Sequence, residues 1–250
     1  MIQQVHSHPD IYRIRVNLPD NPLQYLNAYV IKGVSGNLVI DTGFNRPECK
    51  RALCQGLQEL DIRLQSDTSL FITHLHADHS GLVGLFAQAG CPIYMHPVDY
   101  QYLVDSEDGS TWKAAEDNFM REGMPPAEIK TQFSNQARTF SPDPHFPVNP
   151  VHDGDCLHLA GCDLQVIHTP GHTPGGLSLY GEGVVFSGDT LFRYSVGRTD
   201  LYGGSSKTLL HSLETKLMTL PDNTLVLPGH GPATSIGDER RGNPFLDGGW

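Results

Sequence analysis

Short apolar runs and stretches of alternating apolar and polar residues divide the chain into strands and helices. Runs of this kind, bounded by Gly, Pro, Asn or Asp, predict strands. In chain order, the predicted strands cover residues 11–16, 25–32, 38–40, 69–73, 91–95, 156–159, 163–168, 177–180, 184–186 and 224–227. Apolar residues at helical spacing predict helices over residues 47–60, 80–89 and 206–220. Because strands and helices alternate, the chain is predicted to belong to the α/β class.

Residues 97–150 interrupt this pattern. The segment is rich in Asp, Glu, Asn, Gln and Pro, and helical pieces are predicted around residues 111–121 and 127–137. We interpret it as an insertion, which is either a lid over the functional site or a surface excursion or dimer contact. Residues 1–250 are otherwise predicted to form a single domain, since α/β folds of this length are often undivided.

Composition narrows the range of partners. The net charge of −11 argues against a nucleic-acid-binding surface. We expect no membrane contact, because no apolar stretch approaches the ~20 residues that span a bilayer, and the first residues have no secretory signal pattern. The five cysteines form no CxxC pair, which is typical of free thiols in a reducing compartment. We therefore expect a cytoplasmic protein with a small-molecule substrate, and nothing in the sequence specifies its oligomeric state.

Candidate chemistry begins directly after the strand predicted over residues 69–73. Four potential metal ligands follow within six positions: His74, His76, Asp78 and His79. Imidazole nitrogen and carboxylate oxygen are the ligands that zinc and similar divalent ions take. His74 and His76 can point to one side of the segment, while the other two face elsewhere. One ion cannot comfortably hold all four, so the spacing predicts two neighbouring metals.

Three later strands end in glycine-rich loops that each carry one further ligand type. His172, Asp189 and His230 occupy these loops. The predicted ligands are His74, His76 and His172 for one ion and Asp78, His79 and His230 for the other, with Asp189 bridging the two. Each ion keeps an open position for water, which is typical of a catalytic site. Asp41, at the end of another predicted strand, is either a turn or N-cap residue or a carboxylate that orients a metal-bound histidine.

This set of residues resembles the metallo-β-lactamase fold superfamily, in which the His-x-His-x-Asp-His run is followed by a later His, Asp and His. The sequence Asp41-Thr42-Gly43 matches a further motif of that family. The resemblance covers nearly the whole chain apart from residues 97–150. It implies an αββα sandwich of two mixed β-sheets flanked by helices, and it favours the orienting role for Asp41.

Within the superfamily, residues 188–200 and 243–246 resemble the glyoxalase II-like hydrolases, which hydrolyse glutathione thioesters such as S-lactoylglutathione. The chain stops at Trp250, so we expect no C-terminal helical domain of the kind that supplies glutathione contacts in full-length glyoxalase II. The resemblance is to the shorter bacterial form, and it leaves the substrate open.

The implied activity is hydrolysis of a thioester or ester by a hydroxide between two metals, with Asp78 and Asp189 as the carboxylates of the catalytic centre. Two enzymatic alternatives share these motifs, an iron-dependent persulfide dioxygenase and a lactone hydrolase. A metal-binding protein without activity is a further alternative. Zinc is the expected metal, although iron and manganese accept nearly the same ligands.

Some polar residues are expected to have only structural roles. Arg198 and Asp200 are predicted to pair with each other rather than to contact a substrate carboxylate. The remaining histidines lack paired spacing and are not expected to be ligands; they are His6, His8, His96, His145, His152, His158, His168 and His211.

Overall fold

A computed structural model describes residues 2–19, 21–105, 146–201 and 203–246. The first half contains β1 (Ile2–Ser7), β2 (Asp10–Asn17), β3 (Tyr25–Gly33), β4 (Gly36–Ile40), α1 (Pro47–Glu59), β5 (Thr68–Phe71), α2 (Ala77–Ser80), α3 (Val83–Gln88), β6 (Ile93–Met95) and α4 (Pro97–Asp105). The second half contains β7 (Asn149–Pro150), β8 (Cys156–Leu159), β9 (Cys162–His168), β10 (Leu177–Gly181), β11 (Val184–Gly188), β12 (Leu191–Phe192), β13 (Ser195–Val196), α5 (Ser206–Thr215), β14 (Leu225–Pro228), β15 (Thr234–Ser235) and α6 (Ile236–Gly242). A 3₁₀ turn, Leu217–Thr219, follows α5.

Two mixed sheets face each other. The first has the strand order β1-β2-β3-β4-β5-β6-β7, antiparallel from β1 to β4 and parallel from β4 to β7. The second has the order β15-β14-β11-β10-β9-β8, in which only β11 and β14 are parallel. The short hairpin β12-β13 stands apart from both sheets.

Alternation along β3 explains how the layers are held together. Leu26, Ala28 and Val30 belong to the apolar cluster under α1 and α3. Tyr29 and Ile31 point the opposite way, into the cluster between the two sheets. Since successive side chains leave a strand on opposite faces, a strand buried on both faces is apolar along most of its length. β3 is an interior strand of the first sheet and contributes side chains to both cores.

The second sheet is covered in the same way by α5 and α6. Leu209, Leu213 and Ile236 of these helices pack against Val185 and Val226 of the sheet. Between the sheets, the rings of Tyr29 and Phe186 lie 5.4 Å apart. The predicted αββα sandwich is confirmed. No helix in the described part of the chain is long and apolar enough to cross a membrane.

The predicted helix over residues 80–89 is two short helices, α2 and α3, and the first begins inside the histidine motif. The interruption has a specific cause. The backbone N–H of Leu82 donates to the side-chain oxygen of Thr42 (3.1 Å) and so leaves the helical hydrogen-bond ladder. The Ser80 hydroxyl donates back to the carbonyl of Leu75 (2.8 Å).

Two described elements lie within residues 97–150. Pro97–Asp105 forms α4, and Asn149–Pro150 forms β7, which pairs with β6 in parallel. The helices predicted over residues 111–121 and 127–137 lie outside the described residues. The interpretation of this segment as an insertion therefore stays a prediction.

Candidate metal centre

The predicted ligands converge at one edge of the sandwich because six elements end there. β4 leads to Asp41, β5 to His74 and His76, and α2 itself carries Asp78 and His79. In the second sheet, the ends of β9, β11 and β14 lead to His172, Asp189 and His230, in that order. The structure thus brings all seven predicted ligands, and Asp41, into one buried region between the sheets.

Three imidazole nitrogens form the first cluster. His76 Nδ1 lies 3.1 Å from His74 Nε2 and 2.9 Å from His172 Nε2. The opposite nitrogen of His172 donates to the carbonyl oxygen of Arg198 (2.7 Å), and Nδ1 of His74 faces the Thr73 hydroxyl (3.0 Å). The Arg198 carbonyl can only accept, and the Thr73 hydroxyl donates its one proton to Asp41 (2.8 Å). Both Nδ1 atoms therefore carry the ring proton, and the Nε2 lone pairs of His74 and His172 point into the cluster.

The second cluster joins one carboxylate to two imidazoles. His230 Nε2 lies 3.2 Å from Asp78 Oδ2 and 3.3 Å from His79 Nε2. His230 donates its Nδ1 proton to the carbonyl of Tyr25 (2.7 Å), so Nε2 is the nitrogen that carries the lone pair when the ring is neutral. The His230 loop is held in turn by Asn27, whose amide donates to the carbonyls of the neighbouring residues 228 and 231.

Asp189 lies between the two clusters. Its Oδ1 is 3.3 Å from His79 Nε2, and its Oδ2 is 3.7 Å from His172 Nε2 and 3.5 Å from His230 Nε2. Oδ1 is buried and has no hydrogen-bond partner among the described residues. A buried carboxylate oxygen without a donor is costly unless something positive occupies the space it faces.

The clusters fit divalent metal ions. Ligands about 2.1 Å from a tetrahedral zinc ion lie about 3.4 Å from one another. Five of the separations within the two clusters lie between 2.9 and 3.9 Å, and all ligand atoms of a cluster lie within 4.8 Å of one another. The donor set of imidazole nitrogen and carboxylate oxygen suits zinc, iron or manganese. The orphaned Asp189 Oδ1 and the converging lone pairs are both satisfied by cations.

Burial keeps the first cluster neutral. It lowers the pKa of His74 well below the usual range of histidine and, reinforced by the charge of His172, lowers the pKa of His76 to about 3. Burial also lowers the pKa of His172. Neutral imidazoles are the form that binds a metal, so these three histidines need not release a proton to bind one at neutral pH.

In the second cluster, neighbouring carboxylates raise the pKa values of the histidines instead. Although burial acts to lower it, the charges of Asp189 and Asp41 raise the pKa of His79 well above its ordinary value. Burial also acts to lower the pKa of His230, but the charge of Asp189 outweighs it and raises that pKa. Burial acts to raise the pKa of Asp78, but the two histidines outweigh it and lower that pKa to about 2. A metal entering this cluster therefore displaces protons from imidazoles.

Asp41 contacts His79 of the second cluster at Nδ1, the ring nitrogen that faces away from the cluster. Its Oδ2 accepts from His79 Nδ1 (2.7 Å) and from the Thr73 hydroxyl (2.8 Å), and its Oδ1 accepts from the Thr73 backbone N–H (2.9 Å). A histidine that donates Nδ1–H to a carboxylate presents Nε2 to a metal in a fixed orientation. This geometry matches the orienting role expected for Asp41 rather than an N-cap, since α1 begins at Pro47.

The chain is similar in sequence and fold to known proteins. Residues 22–230 match the family model of the metallo-beta-lactamase superfamily. The chain belongs to this superfamily. A hydroxyacylglutathione hydrolase of Haemophilus influenzae, GloC, is 36% identical over 212 residues, which cover 84% of this chain and 86% of that protein.

Two solved structures extend the comparison. A metallo-beta-lactamase family protein from Thermus thermophilus is 26% identical with a TM-score of 0.81, over 95% of this chain and 78% of that one. The protein TTHA1623, crystallised in a di-iron-bound form, is 37% identical with a TM-score of 0.64, over 93% of this chain and 99% of that one.

Residues outside the two clusters make further contacts. Arg198 and Asp200 form a two-bonded ion pair, with both nitrogen–oxygen distances at 2.7 Å, as predicted. The Arg198 backbone, rather than its side chain, contacts the ligand His172. His96 stacks on His168 with ring centroids 4.4 Å apart, a pairing that the sequence did not suggest. That the histidines outside the two clusters are not ligands stays a prediction.

One buried carboxylate near the centre was missed from the sequence. Asp99 of α4 is fully buried and accepts three hydrogen bonds, from Leu75, Thr173 and Gly175. Burial raises its pKa to about 6 even though these three donors favour the charged form. The only signal in the sequence is an Asp soon after a predicted strand, within an acidic and proline-rich segment.

Proposed function

We propose that the chain is a dinuclear metal-dependent hydrolase of thioesters, of the glyoxalase II type. The observation that carries the proposal is the pair of three-ligand clusters on either side of Asp189. Two ions held by these neighbouring clusters would bind the attacking water and the substrate carbonyl at the same time. The proposed site residues are the ligands His74, His76, Asp78, His79, His172, Asp189 and His230, with Asp41 behind them.

When bound, two metal ions would supply one part of the chemistry: they would lower the pKa of a water molecule to about 7 and polarise the carbonyl oxygen. The chain supplies the rest by orientation and charge. Asp189 faces both clusters and holds negative charge there. Although burial acts to raise it, the neighbouring His230 and His79 lower the pKa of Asp189 well below the ordinary range. Asp78, also ionised, would neutralise part of the charge of an ion held by the second cluster.

The thioester assignment rests on two supports. The relative named a hydroxyacylglutathione hydrolase shares 36% identity with this chain. Residues 188–200 resemble the sequence motif expected of such enzymes. A thiolate is a good leaving group, so the reaction needs no strong general acid beside the metals. We propose zinc as the native metal; the di-iron form of a relative makes iron its competitor.

The proposed partner is a small thioester, with neither nucleic acid nor membrane. The net charge of −11 supports this, because it opposes binding to phosphate-rich surfaces. We propose the cytoplasm as the location. All five cysteines are free thiols, the state expected in a reducing compartment.

The test is hydrolysis of S-lactoylglutathione by zinc-loaded and iron-loaded protein, followed by loss of the thioester. We expect a kcat/KM of about 10⁴ M⁻¹s⁻¹ or more with at least one metal. His76→Ala is expected to abolish turnover, while His211→Ala, on the exposed side of α5, leaves it unchanged. Negligible hydrolysis by fully loaded protein, together with oxygen uptake on glutathione persulfide or turnover of a lactone, contradicts the proposal.

A further inference from the structure

Asp99 connects the two chain segments that carry the first cluster. Its Oδ2 accepts from the backbone N–H of Leu75 (2.9 Å) and from the hydroxyl of Thr173 (2.8 Å). Its Oδ1 accepts from the backbone N–H of Gly175 (2.6 Å). Leu75 lies between the ligands His74 and His76, and Thr173 directly follows the ligand His172. One carboxylate is thus bonded to both segments.

The contact is specific to this pair of segments. A Cβ atom built on Gly175 would lie 2.5 Å from Asp99 Oδ1, so only glycine allows the carboxylate to come this close. Asp99 is 0% exposed, and Thr173 is equally buried. Burying a carboxylate costs free energy unless donors satisfy it, and each of the three donors here belongs to a ligand-bearing loop.

We propose that Asp99 is a positioning residue for the first metal: it fixes the distance between the His74–His76 segment and the His172 loop so that three nitrogens converge on one ion. The inference rests on the proposed metal centre but not on its substrate. Asp99 does for the first cluster what Asp41 does for the second, through peptide N–H groups rather than through an imidazole.

The perturbation is Asp99→Asn, which keeps the shape and removes the charge. An amide has one acceptor oxygen, so its NH₂ group must face at least one of the three donors. Outer-shell partners of metal ligands typically affect metal affinity by about 10- to 100-fold. We expect a loss of this size in one of the two stepwise zinc affinities, measured by competition with a chromophoric chelator, and at most a threefold change in the other. His172→Ala identifies which step belongs to the first cluster.

Glu239→Gln is the matched control. Glu239 is also 0% exposed and also accepts three hydrogen bonds, from Thr234, Tyr194 and Asn243, but these donors flank no ligand. Both variants are expected to lower the melting temperature of the metal-free protein. Only Asp99→Asn is expected to weaken zinc binding, and the absorption spectrum of its cobalt form should change as the coordination loosens.

Thr173→Val provides a milder variant should Asp99→Asn fail to fold, because it removes one donor and leaves the carboxylate with two. We expect it to weaken the same zinc step by about threefold or more. Unchanged zinc affinity in a folded Asp99→Asn or Thr173→Val protein overturns the inference, as does an equal loss in Glu239→Gln. Wild-type protein that binds two zinc ions but hydrolyses no thioester refutes the proposed function and leaves this inference standing; wild-type protein that binds no zinc refutes both.

Discussion

Replacing Asp41 by Asn tests how the second cluster is oriented. The carboxylate accepts from His79 Nδ1 at 2.7 Å through Oδ2 and from the Thr73 backbone N–H at 2.9 Å through Oδ1. An amide cannot serve both. If its oxygen accepts from His79, its NH₂ group faces the N–H of Thr73; if it is flipped, it donates to His79 and forces the proton onto Nε2, the metal-facing nitrogen.

The expected loss of zinc affinity in Asp41→Asn follows from the hydrogen bonds that the substitution removes. A hydrogen bond to a charged group contributes about 1.5–3 kcal/mol, which corresponds to about 10- to 150-fold in affinity. Carboxylates behind metal-bound histidines typically change affinity or activity by about 10- to 100-fold. Both figures predict that Asp41→Asn lowers one stepwise zinc affinity, and kcat/KM with it, by at least tenfold.

The Asp41→Asn substitution is not expected to add backbone strain. Asp41 has φ of 60°, in the left-handed region, and Asn tolerates that region as well as Asp does. Asp61→Asn is the matched control, since Asp61 has φ of 59° and lies exposed in a turn after α1. Zinc affinity and kcat/KM within twofold of wild type in Asp41→Asn would refute the orienting role.

Three further predictions follow from single features of the structure. Gly229→Ala places a Cβ atom 2.5 Å from Asp189 Oδ1 and 2.6 Å from His79 Cε1. The metal content found by elemental analysis should therefore fall from two ions per chain toward one, and a content near two would contradict this. Arg198→Ala removes only an exposed ion pair, so the free energy of unfolding should change by less than about 1 kcal/mol and metal content should not change, because the His172 contact is to the Arg198 backbone. Burial lowers the pKa of His96 from 6.5 to about 4, so the stability contributed by its neutral form is present above pH 6.5 and lost as the pH falls toward 4. Between pH 7 and 4.5, the free energy of unfolding of the metal-free wild type should therefore fall by about 2 kcal/mol more than that of His96→Phe in chemical denaturation. Equal losses in the two proteins would refute this.

The ligands could be predicted from the sequence because each follows a strand end in a short, polar or glycine-rich segment. A run such as His74 to His79 has few structural explanations, and strand ends on facing sheets meet at one edge. The same local signals located β3 and β11 within one or two residues. The αββα arrangement itself came from the family resemblance, since periodicity does not specify how two sheets face each other.

The missed features depend on contacts distant in sequence. β1 is an exposed edge strand with weak alternation, and α6 has Ile236 as its one large buried apolar residue, so neither has a strong pattern. Asp99 lies in an acidic segment where one carboxylate looks like any other. Its partners Leu75 and Thr173 lie 24 and 74 residues away. Its three donors are two backbone N–H groups and one hydroxyl, which no spacing rule identifies.

The central claim, that two metal ions act together at Asp189, is tested most directly by titrating zinc into metal-free protein while following thioester hydrolysis. Seven ligand side chains in two clusters predict that kcat rises until two equivalents of zinc are bound per chain and then stays constant. Full activity at one equivalent, with no further change on binding the second, would contradict the dinuclear account.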